Sequence, residues 1–476
     1  MHALLLLLAC PKQASVEPVP LPSPSLLDAR PTVGPAADFT PPQPQVFTLD
    51  NGATVWFMET PGLPLVSVRM VVRGGRDMDP ADQPGLTAFS NAMLTHGAGD
   101  LDASAFAAEV EQQALSLHAS TGQATTWLSL EATTETLGSG LDLLFMAVTQ
   151  PTFDADEVER VRDQRLGDIA QSLDTPATVA SWVGDRVYFG AEHPLAHNTS
   201  GTAASLESLD AAQLKASWQQ RMAPERTTFV ICGDLVNGDG DADLLKSSLN
   251  AHFGDWTPSE LAPLPEHPAP TGAAGYYLVD NPGSSQSILR VTLPGWQSDD
   301  PAYVPAELGS IVLGGTFTSR LNRLLREEKG YTYGARAGLG DGPGYGRMIT
   351  YSAVRGDVTG LALVDMMGEL ERISAGIDAA ELKKAQGAKR SDTVSVFETR
   401  SGMASAFADL AAMQQSPDTL AQELSASQSA SVESVNAALA GIDPSAAIVV
   451  VVGDLSVIQP QLAEVLPDVT WTVVEP

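Results

Sequence analysis

Positions 88, 91 and 92 have the spacing at which one helix can hold a metal ion, and this chain fills them with alanine, asparagine and alanine. Between Gly85 and Gly97 it reads Gly-Leu-Thr-Ala88-Phe-Ser-Asn91-Ala92-Met-Leu-Thr-His-Gly. Leu86, Phe89, Met93 and Leu94 recur at helical period as an apolar stripe, which leaves 88, 91 and 92 together on another face. In an H-x-x-E-H helix that second face carries two imidazoles on zinc and a glutamate that takes a proton from the metal-bound water. Alanine has no donor atom, and a neutral amide is a poor zinc ligand and no general base. The spacing is that of metal-assisted hydrolysis, and the residue types argue against it.

A second constellation lies in the other half of the chain. Residues 314–334 read Gly-Gly-Thr-Phe-Thr-Ser-Arg-Leu-Asn-Arg-Leu-Leu-Arg326-Glu-Glu-Lys-Gly330-Tyr-Thr-Tyr333-Gly. The pattern predicts an amphipathic helix from Ser319 to Lys329 closed by Arg326, a left-handed C′ residue at Gly330, and a strand opening at Tyr331. A guanidinium and a phenol so placed suit a peptide carbonyl and the oxyanion that develops from it. On spacing alone, the better account is that Arg326 complements the helix dipole and Tyr333 packs in a sheet. His193 and His197 are separated by Pro194, which breaks the helix that would align them, and no nearby run supplies a third ligand. They are expected in a loop, with His96 and His118 as hydrogen-bonding residues. The glycines from Gly338 to Gly346 lack a Walker lysine and read as a turn between strands.

The 314–334 passage closely resembles the C-terminal signature of the insulinase family, the group of pitrilysin and mitochondrial processing peptidase. The resemblance runs from about Phe47 to the end, through the strand from Val66 to Gly75, Thr152-Phe153 ahead of an acidic helix, and His193-Pro194 ahead of Ser208-Leu209. It implies an N-terminal half that carries the zinc motif in relatives, with a distal glutamate on a later helix as the third protein ligand. The matching helix here is Asp154 to Ser172, with Asp168 in the distal ligand's place and Val161 where a second glutamate is common. The resemblance further implies that Arg326 and Tyr333 face the substrate backbone and that the strand Leu117 to Thr121 is a substrate-pairing edge. Ala88, Asn91, Ala92 and Asp168 all depart from the family pattern. No cofactor is therefore expected in this chain, and zinc is expected in a partner subunit that bears an intact H-x-x-E-H. The expected role is the non-catalytic, substrate-binding subunit of a two-subunit zinc metallopeptidase, lending Arg326 and Tyr333 to the partner's site. A peptide-binding scaffold without proteolysis is the alternative, and an independent enzyme with an unrecognised site is a third.

Composition bounds these readings. The chain has 476 residues, 43% of them hydrophobic, enough for two or three domains with real cores. Its 58 acidic against 27 basic residues give a formal charge of −31, which repels phosphate backbones and excludes nucleic acid as a natural partner. The opening Met-His-Ala-Leu-Leu-Leu-Leu-Leu-Ala-Cys10 is too short to span a bilayer and resembles a bacterial lipoprotein signal. Lipid at Cys10 would be the one membrane attachment and would place the protein in the cell envelope, periplasmic or at the outer membrane. Cys232, in an apolar strand, is expected to be a buried inert thiol.

Residues 1–10 thus read as a signal and 11–45 as a Pro-rich tether, followed by a domain at 46–256, a linker at 257–275 and a second domain at 276–476. Asn51-Gly52 between apolar runs predicts a tight two-residue hairpin. Gly233-Asp234-Leu235 recurs as Gly453-Asp454-Leu455, and Gly140-Leu141 recurs as Gly360-Leu361 at the same spacing, which points to duplication. Runs of strands beside groups of helices predict an α+β fold of two duplicated domains, each an antiparallel sheet with helices packed on one face.

Overall fold

The computed structural model describes residue 34 and residues 37–235, 242–257 and 261–476. The expected signal, Cys10 and most of the expected tether lie outside the described residues. The first half builds a six-stranded sheet from β1 (Gln45–Thr48), β2 (Thr54–Glu59), β3 (Leu65–Arg73), β4 (Ser116–Thr121), β5 (Thr125–Thr133) and β6 (Thr227–Gly233), in the order β1-β2-β6-β3-β5-β4. The second half repeats it with β7 (Gly275–Asp280), β8 (Gln286–Pro294), β9 (Thr332–Gly342), β10 (Tyr345–Arg355), β11 (Ile448–Gly453) and β12 (Trp471–Val473), in the order β12-β7-β11-β8-β10-β9. The two orders superpose from β2 and β7 onward, as duplication requires. The sheets are mixed rather than wholly antiparallel: β2 runs parallel to β6, and β7 runs parallel to both β11 and β12.

Asn51-Gly52 does turn a hairpin, but a longer one than predicted. Leu49 and Ala53 close a three-residue loop, with the Leu49 amide donating to the Ala53 carbonyl at 2.8 Å and Gly52 in the left-handed region at φ 94°. That is the turn-plus-left-handed-residue solution, which needs only one positive φ.

The helices that position the site are α1 (Leu86–Ala92), α2 (Ala155–Leu173), α3 (Pro176–Phe189), α4 (Ala211–Arg221), α5 (Ala379–Val396) and α6 (Arg400–Ala412). Among the described residues no helix is long and apolar enough to cross a membrane. Helical cover on one sheet face only is where expectation and structure part. Side chains alternate across a strand, so the unbroken apolar runs of β6 and β11 bury both faces. On β6, Phe229 and Ile231 pack into the core of their own half, while Val230 and Cys232 pack against Met403, Ala404 and Phe407 of α6, a helix from the other half. On β11, Val449 and Val451 stay in their own core, while Val450 and Val452 meet Val179, Ala180 and Val183 of α3. Each half thus lends a helix to the other's sheet. Burial pushes the Cys232 thiol up to about 12, which leaves it an inert packing group.

The exchange is pinned by matched polar contacts. Arg69 of β3 reaches across to Ser401 Oγ at 2.6 Å and Ser405 Oγ at 3.4 Å on α6. Arg290 of β8 reaches Ser181 Oγ at 3.3 Å and Asp185 Oδ1 at 3.0 Å on α3, the same positions of the duplicate. Gly184 makes room for this crossing, because a Cβ there would stand 2.6 Å from Arg290 Nε. Asp185 Oδ1 also accepts from Arg347 Nη1 at 2.7 Å, and Arg76 Nη2 lies 3.8 Å from Oδ2, so one carboxylate gathers three guanidiniums drawn from both halves. Their side chains are 7–9% exposed.

Removing one partner of a buried ion cluster leaves uncompensated charge and costs about 3–5 kcal/mol. Asp185→Ala is therefore expected to lower the unfolding free energy in urea by that amount. Ser405→Ala, at the matched position without the ionic contacts, is expected to cost only about 1 kcal/mol. Equal effects of the two would show that the Asp185 cluster does not hold the halves together.

Candidate functional site

Helix α1 starts where it does because Asp79 and Gly85 hold its first turn. Asp79 accepts from the Gly85 amide at 2.8 Å and the Thr87 amide at 2.7 Å, which satisfies two of the orphan donors at the helix start. Gly85 sits at φ 90°, and a Cβ on it would come 2.8 Å from Gly201 Cα. Phe89, Met93 and Leu86 then pack with Val158, Val161 and Ile169 of α2. This places the face of 88, 91 and 92 between β4, β5, α4 and α2.

That face is closed from within. Asn91 is buried, and its amide nitrogen donates to Thr121 Oγ1 at 2.6 Å on β4 and Thr126 Oγ1 at 3.0 Å on β5. Its carbonyl oxygen accepts from Arg221 Nη1 at 2.9 Å. Arg221, at the end of α4, is only 1% exposed and also donates to Thr126 Oγ1, Ser90 Oγ and the Ser217 carbonyl. Burial lowers its pKa to about 10, opposed by the nearby carboxylates of Asp79 and Asp77, so the guanidinium remains charged at neutral pH. A second cation flanks the same face. Arg165 of α2 donates from Nη1 to the Ala88 carbonyl at 3.4 Å, with its guanidinium 5.7 Å from the Phe89 ring centroid. Asp168, one turn further along α2, is exposed and acts on Arg165 through charge.

The residues present do not fit zinc. Ala88 and Ala92 offer no side-chain donor, both ends of the Asn91 amide are engaged, and Arg221 and Arg165 bring positive charge to the place a divalent ion would take. Among the described residues no group of three His, Cys, Asp or Glu side chains is placed to share a metal ion. His96 Nδ1 pairs with the Ala92 carbonyl at 2.6 Å, and exposed His118 pairs with Ser116 Oγ at 3.0 Å. His193 donates to the Pro268 carbonyl, accepts from the Leu195 amide and stacks on Phe189, and its burial lowers its pKa.

Arg326 and Tyr333 stand apart from this face, and no hydrogen bond or ion pair among the described residues joins them to it. The predicted helix is there with a wider winding: Asn322–Glu328 is a π-helix, its amides reaching back five and six residues from Lys329 to Leu324 and from Tyr331 to Leu325. Such local widening is frequent at functional sites. Buried Asn322 ties it to β9, donating to the Ala335 carbonyl at 2.8 Å and accepting from the Ala335 amide at 2.9 Å. Tyr333, near the start of edge strand β9, is 90% exposed and does not pack in the sheet. Arg326 lies over Phe317 at 4.1 Å from the ring centroid, and Phe317 is itself 61% exposed. Phe317 and Tyr333 face solvent, while Arg326 is half-buried between the Phe317 ring and Glu327, whose Oε1 lies 3.4 Å from its Nε.

Spacing did not single out Arg221, Arg165 or Asp79. Arg221 was legible in principle, since Leu214, Ser217 and Arg221 share the buried face of α4 and an arginine on such a face needs partners.

The comparisons with known proteins agree with this geometry. A model described as "Insulinase (Peptidase family M16)" matches residues 54–182, and one described as "Peptidase M16 inactive domain" matches residues 208–389, together more than half of the chain. A "Non-peptidase homolog" of Helicobacter pylori is 24% identical over 280 residues, 57% of this chain and 61% of that protein, so the chain spans less than two thirds of that relative. An uncharacterized zinc protease of Mycobacterium tuberculosis is 24% identical over 373 residues, 75% of this chain and 81% of the other. The crystal structure of a peptidase M16 inactive domain from Pseudomonas fluorescens has a TM-score of 0.78 at 25% identity, covering 86% of this chain and 98% of that one.

Two outcomes follow. Burial raises the Asp79 pKa from 3.8 to about 6, against the Thr87, Gly85 and Arg221 contacts that lower it. A carboxyl whose folded pKa is raised contributes stability that is full below its unfolded pKa and lost as pH rises through the folded value. The unfolding free energy of the wild type relative to Asp79→Asn, measured in urea, is therefore expected to fall between about pH 4 and pH 7, by on the order of 3 kcal/mol. Second, rebuilding the motif as Ala88→His/Asn91→Glu/Ala92→His is expected to leave zinc substoichiometric after gel filtration, because Arg221 and Arg165 remain. One zinc per chain in that variant, by elemental analysis, would show that charge at the face does not exclude metal.

Proposed function

The chain belongs to the insulinase family, peptidase family M16, as a member without the catalytic motif, and we infer that it serves as the substrate-binding subunit of a two-subunit peptidase. The observation that carries this is the contrast between its two constellations. The metal face is locked by Asn91 and Arg221 beneath the surface, whereas Tyr333 is 90% exposed and Arg326 lies on an exposed ring. A phenol 90% exposed at a sheet edge is not accounted for by packing, and the Arg326 guanidinium on the preceding helix is a second donor suited to a peptide carbonyl.

In this reading the zinc belongs to a partner chain that bears H-x-x-E-H. Here the chain's own groups bind and orient. Among the described residues β4 is an edge strand with β5 as its one strand neighbour, and an extended peptide adds to its outer side as a further strand. Tyr333 and Arg326 donate hydrogen bonds to peptide carbonyls and to the negative charge that develops on the oxygen under attack. The acidic surface steers cationic segments toward the complex. A scaffold that binds peptide without proteolysis is the second reading, favoured by the closed metal face.

Mixing the purified chain with the H-x-x-E-H homologue from its own source is expected to raise peptide cleavage well above that of the homologue alone. Arg326→Ala or Tyr333→Phe is expected to lower kcat of the mixture about 10²-fold with KM little changed, the signature of a donor used mainly in the transition state. Peptide binding with no gain in cleavage would favour the scaffold.

A further inference from the structure

On a chain of charge −31, one small recess is cationic. Thr316, Thr318, Arg320, Arg323, Glu381 and Lys384 line a cavity of about 110 Å³ between helix α5 and the loop that enters the π-helix. Arg320 is already matched: its Nε and Nη2 donate to the two Glu381 oxygens at 2.7 and 2.6 Å, and further donors reach the Arg372 and Gly376 carbonyls. The other two cations are not matched in this way. Arg323 has Glu328 at 3.8 Å with both side chains more than half exposed, a pair that solvent screens. Lys384 donates to the Thr318 carbonyl at 2.6 Å, which leaves two of its three ammonium donors. Thr316 Oγ1 is buried with no hydrogen-bond partner. A guanidinium, an ammonium and a hydroxyl therefore line one cavity larger than a single water requires. An oxyanion suits these donors through charge-assisted bonds.

The neighbours say which oxyanion. Phe317 stands in sequence between the two lining threonines and carries the Arg326 guanidinium over its ring. Through Phe317 the recess neighbours Arg326, assigned above to the peptide backbone, and a carboxylate projecting from that peptide is the anion brought to it. We propose that the recess is a subsite for an acidic residue: it takes the carboxylate of an Asp or Glu side chain of the bound peptide, with Arg323 and Lys384 as cationic contacts and Thr316 as a neutral donor. This rests on the peptide-binding reading. It also runs against the long-range field, because a chain of charge −31 repels acidic peptides as a class, so a preference for them has a local origin.

The test uses two fluorescein-labelled, end-blocked peptide pools that differ only in carrying Asp and Glu or Asn and Gln. Fluorescence anisotropy with the full chain is expected to show the acidic pool bound about tenfold more tightly. Arg323→Gln/Lys384→Gln is expected to abolish the difference while binding the amide pool as the wild type does, and Lys384→Arg is expected to retain it. Equal affinity of the wild type for both pools, or a preference that survives the double substitution, overturns the subsite while leaving peptide binding intact. Failure of both pools to bind overturns the peptide-binding reading itself. Inorganic phosphate is the rival occupant: if it abolishes the preference at submillimolar concentration and matched ionic strength, the recess is a free-anion site and the peptide assignment falls.

Discussion

The exchange of α3 and α6 between the halves is the constraint on which the rest of the structure depends. Each central sheet is apolar on both faces, and its own helices cover only one. Leaving the second face of β6 or β11 in water would forgo roughly 1.5–3 kcal/mol for each large apolar side chain. The duplicate supplies the cover, and Arg69 and Arg290 fix the register by crossing to matched positions on the borrowed helices. The pseudo-symmetry is broken at the point of greatest charge: Ser405 on one side, Asp185 with three guanidiniums on the other. Arg347 is further surrounded by the rings of Tyr188, Phe189 and Tyr345 at 5.4–5.5 Å, so the second side is both ionic and aromatic.

Within that frame the face of residues 88, 91 and 92 is a structural joint. A zinc site needs lone pairs pointing at an open position. Here one amide and one guanidinium point at each other, and the hydrogen bonds that run from Asn91 to Thr121, Thr126 and Arg221 tie α1 to the sheet and to α4. The arginine supplies the positive charge internally, balanced at longer range by Asp77 and Asp79. In the second half a π-helical turn held by Asn322 carries Arg326 beside edge strand β9, on which Tyr333 lies exposed.

Much of this was readable from residue types. Alanines at 88 and 92 lack donors in any fold, the Gly-Asp-Leu repeat predicted two halves of one design, and the run from Gly314 to Gly334 led to the family that the whole-chain comparisons bear out. Asp168 shows the limit. Its register places it where a distal ligand belongs, yet it lies exposed, and Arg165, one turn earlier, is the residue that meets α1. Register along one helix says which residues share a face and does not say how that helix is rotated against its neighbour. The hairpin at Asn51-Gly52 was recognisable for the same reason that its length was not: φ preference is local, while loop closure depends on where the pairing of Thr48 with Thr54 begins.

Donor chemistry, charge and internal repetition belong to the chain itself, because they follow from which atoms are present and in what order. Burial, partnership and exposure arise only when distant segments meet. Asn91 and Arg221 are far apart in sequence and become one polar unit because α4 packs across α1, and Tyr333 faces water because β9 is an edge. An isolated polar residue has many acceptable partners in water, and only packing leaves it with one.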